Sequence, residues 1–65
     1  MNADDYFELG CEYMNSQEFE LAIIEFSNAI NVREDGASYE NRGIAKSFCN
    51  DRLGAIEDFK KSIAI

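Results

Sequence analysis

The stretch Tyr6-Phe7-Glu8-Leu9-Gly10-Cys11-Glu12-Tyr13, read with Ala22-Ile23-Ile24-Glu25-Phe26, decides the fold of this 65-residue chain. Tyr6, Leu9, Gly10 and Tyr13 stand at i, i+3, i+4 and i+7, which is one face of an α-helix. Ala22 and Phe26 belong to a longer stripe of the same period, Phe19, Ala22, Ile23, Phe26, Ala29 and Ile30. Part of the pattern returns at an offset of 33: Tyr6/Tyr39, Gly10/Gly43, Ala22/Ala55, Ile23/Ile56, Phe26/Phe59 and Ile30/Ile63 are identical pairs. The small members let two helices approach closely, and the large ones fill the space around that approach. A unit built this way buries its apolar face only by stacking on a neighbour.

Outward from that stretch, the chain reads as four helices and no strands. Asn2 can cap a first helix over 3–15, with Asp4 and Asp5 at its positive end. Ser16 is expected to cap a second helix over 17–31. Residues 31–36 form a connector without proline. Asp35 caps a third helix over 37–49 and Asp51 a fourth over 52–64, where Gly54 is expected to cost about 1 kcal/mol against alanine. Phe7 and Cys11 make a second apolar stripe on the first helix, and Leu21 and Ile24 lie off the main stripe of the second. The fold class is therefore all-α, two antiparallel helical hairpins in one domain over 1–65, with units at about 3–35 and 36–65. Because only Gly36 opposes helix between Ile30 and Ala37, the second and third helices could also fuse in a swapped oligomer.

Composition narrows the function. The net charge is −7, and residues 1–32 carry seven acids and no Lys or Arg. Nucleic acid and anionic membrane both need a basic footprint, so neither is expected as a partner. No apolar run approaches the ~20 residues of a membrane span. Two cysteines, Cys11 and Cys49, without a Cys-x-x-Cys pair or a leader segment, suggest free thiols in a reducing, cytoplasmic setting. There is no histidine. With it goes the commonest general base and metal ligand, and no cofactor, metal or enzymatic step is expected. Asn31-x-Arg33-x-Asp35-Gly36 fails as a calcium loop, since Arg33 and Arg42 stand where carboxylates are needed.

The spacing resembles the tetratricopeptide repeat, Trp-x2-Leu-Gly-x2-Tyr followed by Ala-x3-Phe and a proline. Tyr6, Leu9, Gly10, Tyr13, Ala22, Phe26 and Ala29 match in the first unit. The second keeps Tyr39, Gly43, Ala55 and Phe59, but has Arg42 for the leucine and Lys46 for the tyrosine. The period is one residue short, Glu34 replaces the proline, and no closing helix follows the second unit. The resemblance implies a short right-handed solenoid that acts as an interaction scaffold and holds a peptide in a concave groove. Its groove positions map to Asp4, Phe7, Cys11, Met14 and Asn15, then to Ala37, Glu40, Ile44, Ser47 and Phe48. Such a groove is mainly apolar with an acidic entrance, suited to a basic-flanked amphipathic segment. The family's carboxylate-gripping clamp is not expected, because Phe7 and Cys11 occupy the places of its Lys and Asn. The resemblance also implies that the second helix of each unit packs on the first helix of the next. Ile56, Phe59 and Ile63 should then lie open, and self-association through them is expected: the chain is a binding module, or a unit whose main partner is its own copy.

Overall fold

Local capping sets where the helices begin. In the computed structural model, which describes residues 1–65, the Asn2 side chain accepts from the Asp5 amide at 2.8 Å and Asp5 returns the bond to the Asn2 amide at 3.2 Å. This reciprocal box opens α1 (Ala3–Asn15). Asp35 accepts from the Ser38 amide at 2.7 Å and opens α3 (Gly36–Phe48). Asp51 accepts from the Gly54 amide at 3.0 Å and opens α4 (Arg52–Ala64). At Gly54 a Cβ would lie 2.2 Å from the Asp51 carboxylate, so the glycine leaves room for the cap and its helix cost is offset there.

The expectation for Ser16 is overturned. It ends α1, donating its hydroxyl to the carbonyls of Glu12 and Tyr13 at 3.3 and 3.2 Å. The second helix, α2 (Phe19–Val32), starts later than expected, after Glu18, whose side chain makes no capping bond. The physical reason is the turn. Gln17 adopts the left-handed conformation, φ 62°. The amides of Gln17 and Glu18 then close back onto the carbonyls of Met14 and Tyr13, at 3.0 and 2.8 Å. That pair of bonds is a Schellman ending. The same turn recurs at the offset of the sequence repeat. Asn50 has φ 65°, and the amides of Asn50 and Asp51 bond the carbonyls of Ser47 and Lys46 at 3.2 and 2.9 Å.

The connector between hairpins is extended, so a continuous helix from α2 into α3 is not what the chain adopts. Arg33 has φ −155° and ψ 119°, and Asp35 has φ −145° and ψ 158°. The Asp35 cap competes for the backbone that a fused helix would need, and Arg33 is drawn aside to Asp4 at 2.9 Å.

Each helix packs on the next: α2 lies against both α1 and α3, and α4 against α3. The body is only 14 Å thick between Cα extremes, so few side chains leave water: 11 of 65 are buried. Most of these are small, and Phe26 is the largest that is fully enclosed. Its ring lies on Gly10, where a Cβ would sit 2.5 Å from the nearest ring carbon. Gly43 repeats this beneath Phe59, at 2.8 Å, but Phe59 remains half-exposed.

Two stability measurements follow from these contacts. Gly10→Ala gains ~1 kcal/mol of helix propensity but overpacks a buried ring at a cost of about 1–3 kcal/mol, a net loss. Gly43→Ala should lose less, because the half-exposed Phe59 ring can shift outward and only the Ala55 carbonyl, 3.2 Å from the added Cβ, must give; urea midpoints of the two variants read the contrast. Gln17→Gly relieves left-handed strain and should raise stability by about 0.5–1 kcal/mol, or roughly 4 °C in the melting temperature.

Candidate functional site

The groove residues expected from sequence separate into three hollows, and two of the residues line none. Cys11, Met14 and Asn15 from α1 meet Phe48 from α3 around a cavity of about 630 Å³. Gln17, Phe19 and Asn41, which sequence reasoning missed, complete its lining. Phe48 stacks on Phe19 with ring centroids 4.4 Å apart and planes within 7°, yet remains 62 % exposed. Phe19 was legible only as the first member of the α2 stripe. Its place in the groove follows from the late start of α2, which leaves it at the helix entrance.

Phe7 lies apart from that cavity. Its ring is tilted against Phe26 at 5.6 Å, and with Asp4, Arg33, Asp35 and Ala37 it lines a separate hollow of about 330 Å³. The expected acidic entrance is partly neutralised there, since Asp4 pairs with Arg33. Glu40 is exposed and Ile44 half-buried, and neither lines a cavity. Ser47 is not with the groove set: it donates to the Ile44 carbonyl at 2.7 Å and lines a hollow of about 420 Å³ with Asn50, Arg52, Ala55, Ile56 and Phe59. It is the residue before Phe48, and the ~100° of helix rotation between neighbours turns it toward α4 instead of α1.

Both cysteines are free. Burial pushes the Cys11 thiol above its ordinary value, and the charge of Glu8 adds to the rise. The thiol is therefore protonated at neutral pH and serves as apolar lining, not as a nucleophile.

The self-association set on α4 is also divided. Ile56 and Ile63 are 42 % and 85 % exposed, with Leu53 beside them at 77 %. Phe59, expected to lie equally open, folds back over Gly43 and is half-buried.

The feature that sequence reasoning missed altogether is a buried charge cluster. Asp58, 2 % exposed, receives two parallel hydrogen bonds from Arg42, both 2.8 Å, and the Lys46 ammonium lies at 3.1 Å. Arg42 also donates to Ser27 of α2 at 3.0 Å. It lies over the Tyr39 ring at 5.4 Å, with Lys61 over the same ring at 5.5 Å. Tyr39 in turn donates to the Glu34 carboxylate, and that bond, followed by burial, raises its pKa. Arg42 and Lys46 occupy the positions that hold Leu9 and Tyr13 in the first unit. Two bases at core positions require a buried acid, and that requirement was the available signal.

We found no match among family models, curated proteins or solved structures. No helix is long and apolar enough to cross a membrane.

Burial alone would push the Asp58 carboxyl up, but hydrogen bonds from Arg42 and Lys46, and then their charges, outweigh it and hold it below the usual carboxylate range. A carboxyl lower in the folded state than its unfolded value of ~3.9 contributes stability that is complete above that value and lost as pH falls through the folded one. The urea midpoint should hold down to about pH 4 and drop below it. Asp58→Asn leaves Arg42 and Lys46 uncompensated, at a cost of about 3–5 kcal/mol, which for a domain this small should abolish the cooperative melt at neutral pH.

Proposed function

We propose that this chain is a protein–protein interaction module of the tetratricopeptide type, a short right-handed solenoid that holds a helix or extended peptide along the groove of Cys11, Met14, Asn15, Phe19, Asn41 and Phe48. The observation that carries this reading is Phe48. A large ring stacked on Phe19 but mostly open to water is a preformed anchor, since its conformational freedom is already spent before a ligand arrives. Met14 supplies a polarizable wall that adapts to the ligand, and Asn15 and Asn41 supply amides that fix its direction. The repeated turns at Gln17 and Asn50, and the repeated glycine–phenylalanine contacts, support the assignment to this class of repeat.

Carboxylates flank the groove. Glu8 lies close enough to act on the Cys11 thiol, and Glu40 stands exposed one residue before Asn41. The ligand we propose is an amphipathic segment with an apolar anchor and Lys or Arg on either side, steered by an acidic surface.

Self-assembly is the less supported reading. Stacking copies end to end would press α1 of one molecule onto α4 of the next. That face of α1 carries Asp5, Glu8 and Glu12, all exposed, which would lose hydration against Ile56 and Phe59. Light scattering across concentration reads this alternative directly.

The groove reading is tested with peptides selected from a helical library with basic flanks. Phe48→Ala loses only the stacking on Phe19, about 0.5–1.5 kcal/mol, so the fold should persist. Selected peptides should bind that variant at least ~10-fold more weakly, a difference of about 1.4 kcal/mol. Equal binding, or amide shift changes centred on Leu21 and Ile24, would sink the groove assignment.

A further inference from the structure

The two hairpins give an internal measure of what α4 lacks. On α2, the residues Phe19, Ala22, Ile23, Phe26, Ser27 and Ile30 form the face that α3 covers. Ala45 of α3 closes with Ala22 and Phe26 in one buried cluster, Phe48 stacks on Phe19, and Arg42 donates to Ser27. Ser38 lies seven residues before Ala45, hence on the same side of the helix, and is fully buried. The covering face of α3 therefore reads small residue, arginine, small residue, aromatic at 38, 42, 45 and 48.

The corresponding face of α4 is Arg52, Ala55, Ile56, Phe59, Lys60 and Ile63, and no helix of the chain covers it. Ile23 and Ile30 are half-buried beneath α3, whereas Ile56 and Ile63 are exposed. The hollow of about 420 Å³ lined by Arg52, Ala55, Ile56 and Phe59 lies where α2 receives Ala45 and Phe48. The two replacements at its edges are both basic: Arg52 stands for Phe19 and Lys60 for Ser27. Neither pairs with a carboxylate of the chain, although acids outnumber bases thirteen to six.

We propose that the outer face of α4 is a docking site for a helix of another protein that carries small residues at i and i+7 and carboxylates at i+4 and i+10. The small residues let that helix sit as close to Ala55 and Phe59 as α3 sits to Ala22 and Phe26. The carboxylates replace Arg42 and Phe48 of the α3 pattern and meet Lys60 and Arg52. A second copy does not answer this description. At the matching positions α1 carries Asp5, Leu9, Glu12 and Asn15, which puts acids where small residues are needed and an apolar and an amide side chain where acids are needed. The chain's own α3 has the small residues but places Arg42 against Lys60. The site stands apart from the groove and does not depend on it.

The test uses the whole chain and two synthetic peptides of residues 35–49, each held helical by an i, i+4 cross-link away from Ser38 and Ala45. One has the native sequence, and the other bears R42E and F48E. The doubly substituted peptide should bind the chain at least ~10-fold more tightly than the native one, with the advantage shrinking as salt rises. Lys60→Glu, an exposed change checked for fold by circular dichroism, should erase or reverse that preference. Phe48→Ala in the protein should leave it intact, which separates this site from the groove. Equal binding of the two peptides, an unchanged preference in Lys60→Glu, or a stable dimer that Ile56→Asp dissociates would overturn the proposal.

Discussion

Three helices meet on the ring of Phe26, the largest side chain fully withdrawn from water. Gly10 of α1 lies beneath it, Ala22 is one turn away on α2, and Ala45 of α3 closes the other side. This contact couples the first hairpin to the second. If the ring moved outward, α1 would lose its close approach to α2 at Gly10, and α3 would lose the cluster that seats Ala45. In a body 14 Å thick there is no deeper layer to compensate. The surrounding residues are small because the ring needs helices near enough to enclose it, and dispersion falls away quickly once gaps open.

The second hairpin solves the same packing problem with different chemistry. Phe59 repeats Phe26 over Gly43 but is not enclosed, because no helix covers the far side of α4. Arg42 and Lys46 on Asp58 add a second tie between α3 and α4, beside the packing of the buried Ala55. A bidentate pair of this kind fixes the relative placement of two helices more sharply than apolar contact does, since two parallel bonds must align together. Through Ser27 the same guanidinium also reaches α2. It thus takes over, at the second interface, part of the role that Phe26 has at the first.

Local features were the most legible in the sequence. The caps at Asn2, Asp35 and Asp51 and the extents of α1 and α4 follow from chemistry within three or four residues, and the structure agrees with them. Ser16 misled because serine serves both ends of a helix. The choice depended on Gln17 turning left-handed, a conformation that sequence statistics assign to glycine or asparagine. The resemblance grouped Cys11, Met14, Asn15 and Phe48, which line one cavity, but helix rotation sent Ser47 to the α4 side and the connector closed Arg33 over Asp4. The Asp58 cluster was invisible to a search for apolar repeats, which registers Arg42 and Lys46 as mismatches although they are two halves of one buried contact.

The surfaces left open differ in charge, and the difference follows from how the acids and bases were spent. α1 keeps its carboxylates in solvent beside an apolar groove, with Arg33 as their one partner. In the second unit Arg42 and Lys46 are consumed inside the domain by Asp58; of the three bases that remain outside, Lys61 lies over Tyr39, while Arg52 and Lys60 border the uncovered apolar stripe of α4. The two ligands proposed above, one with basic flanks and one with acidic side chains, would therefore be drawn to different sides of the molecule, and neither would need to displace the other. Because the domain buries so little on its own, the partner proposed for α4 would supply the layer that α3 supplies to α2. Binding that favours the folded state adds RT ln(1 + [L]/Kd) to its stability, about 2.7 kcal/mol at a hundredfold excess over Kd, which is comparable to what a core of this size provides alone. Occupancy of the proposed α4 site would thus be coupled to the folding of the whole chain.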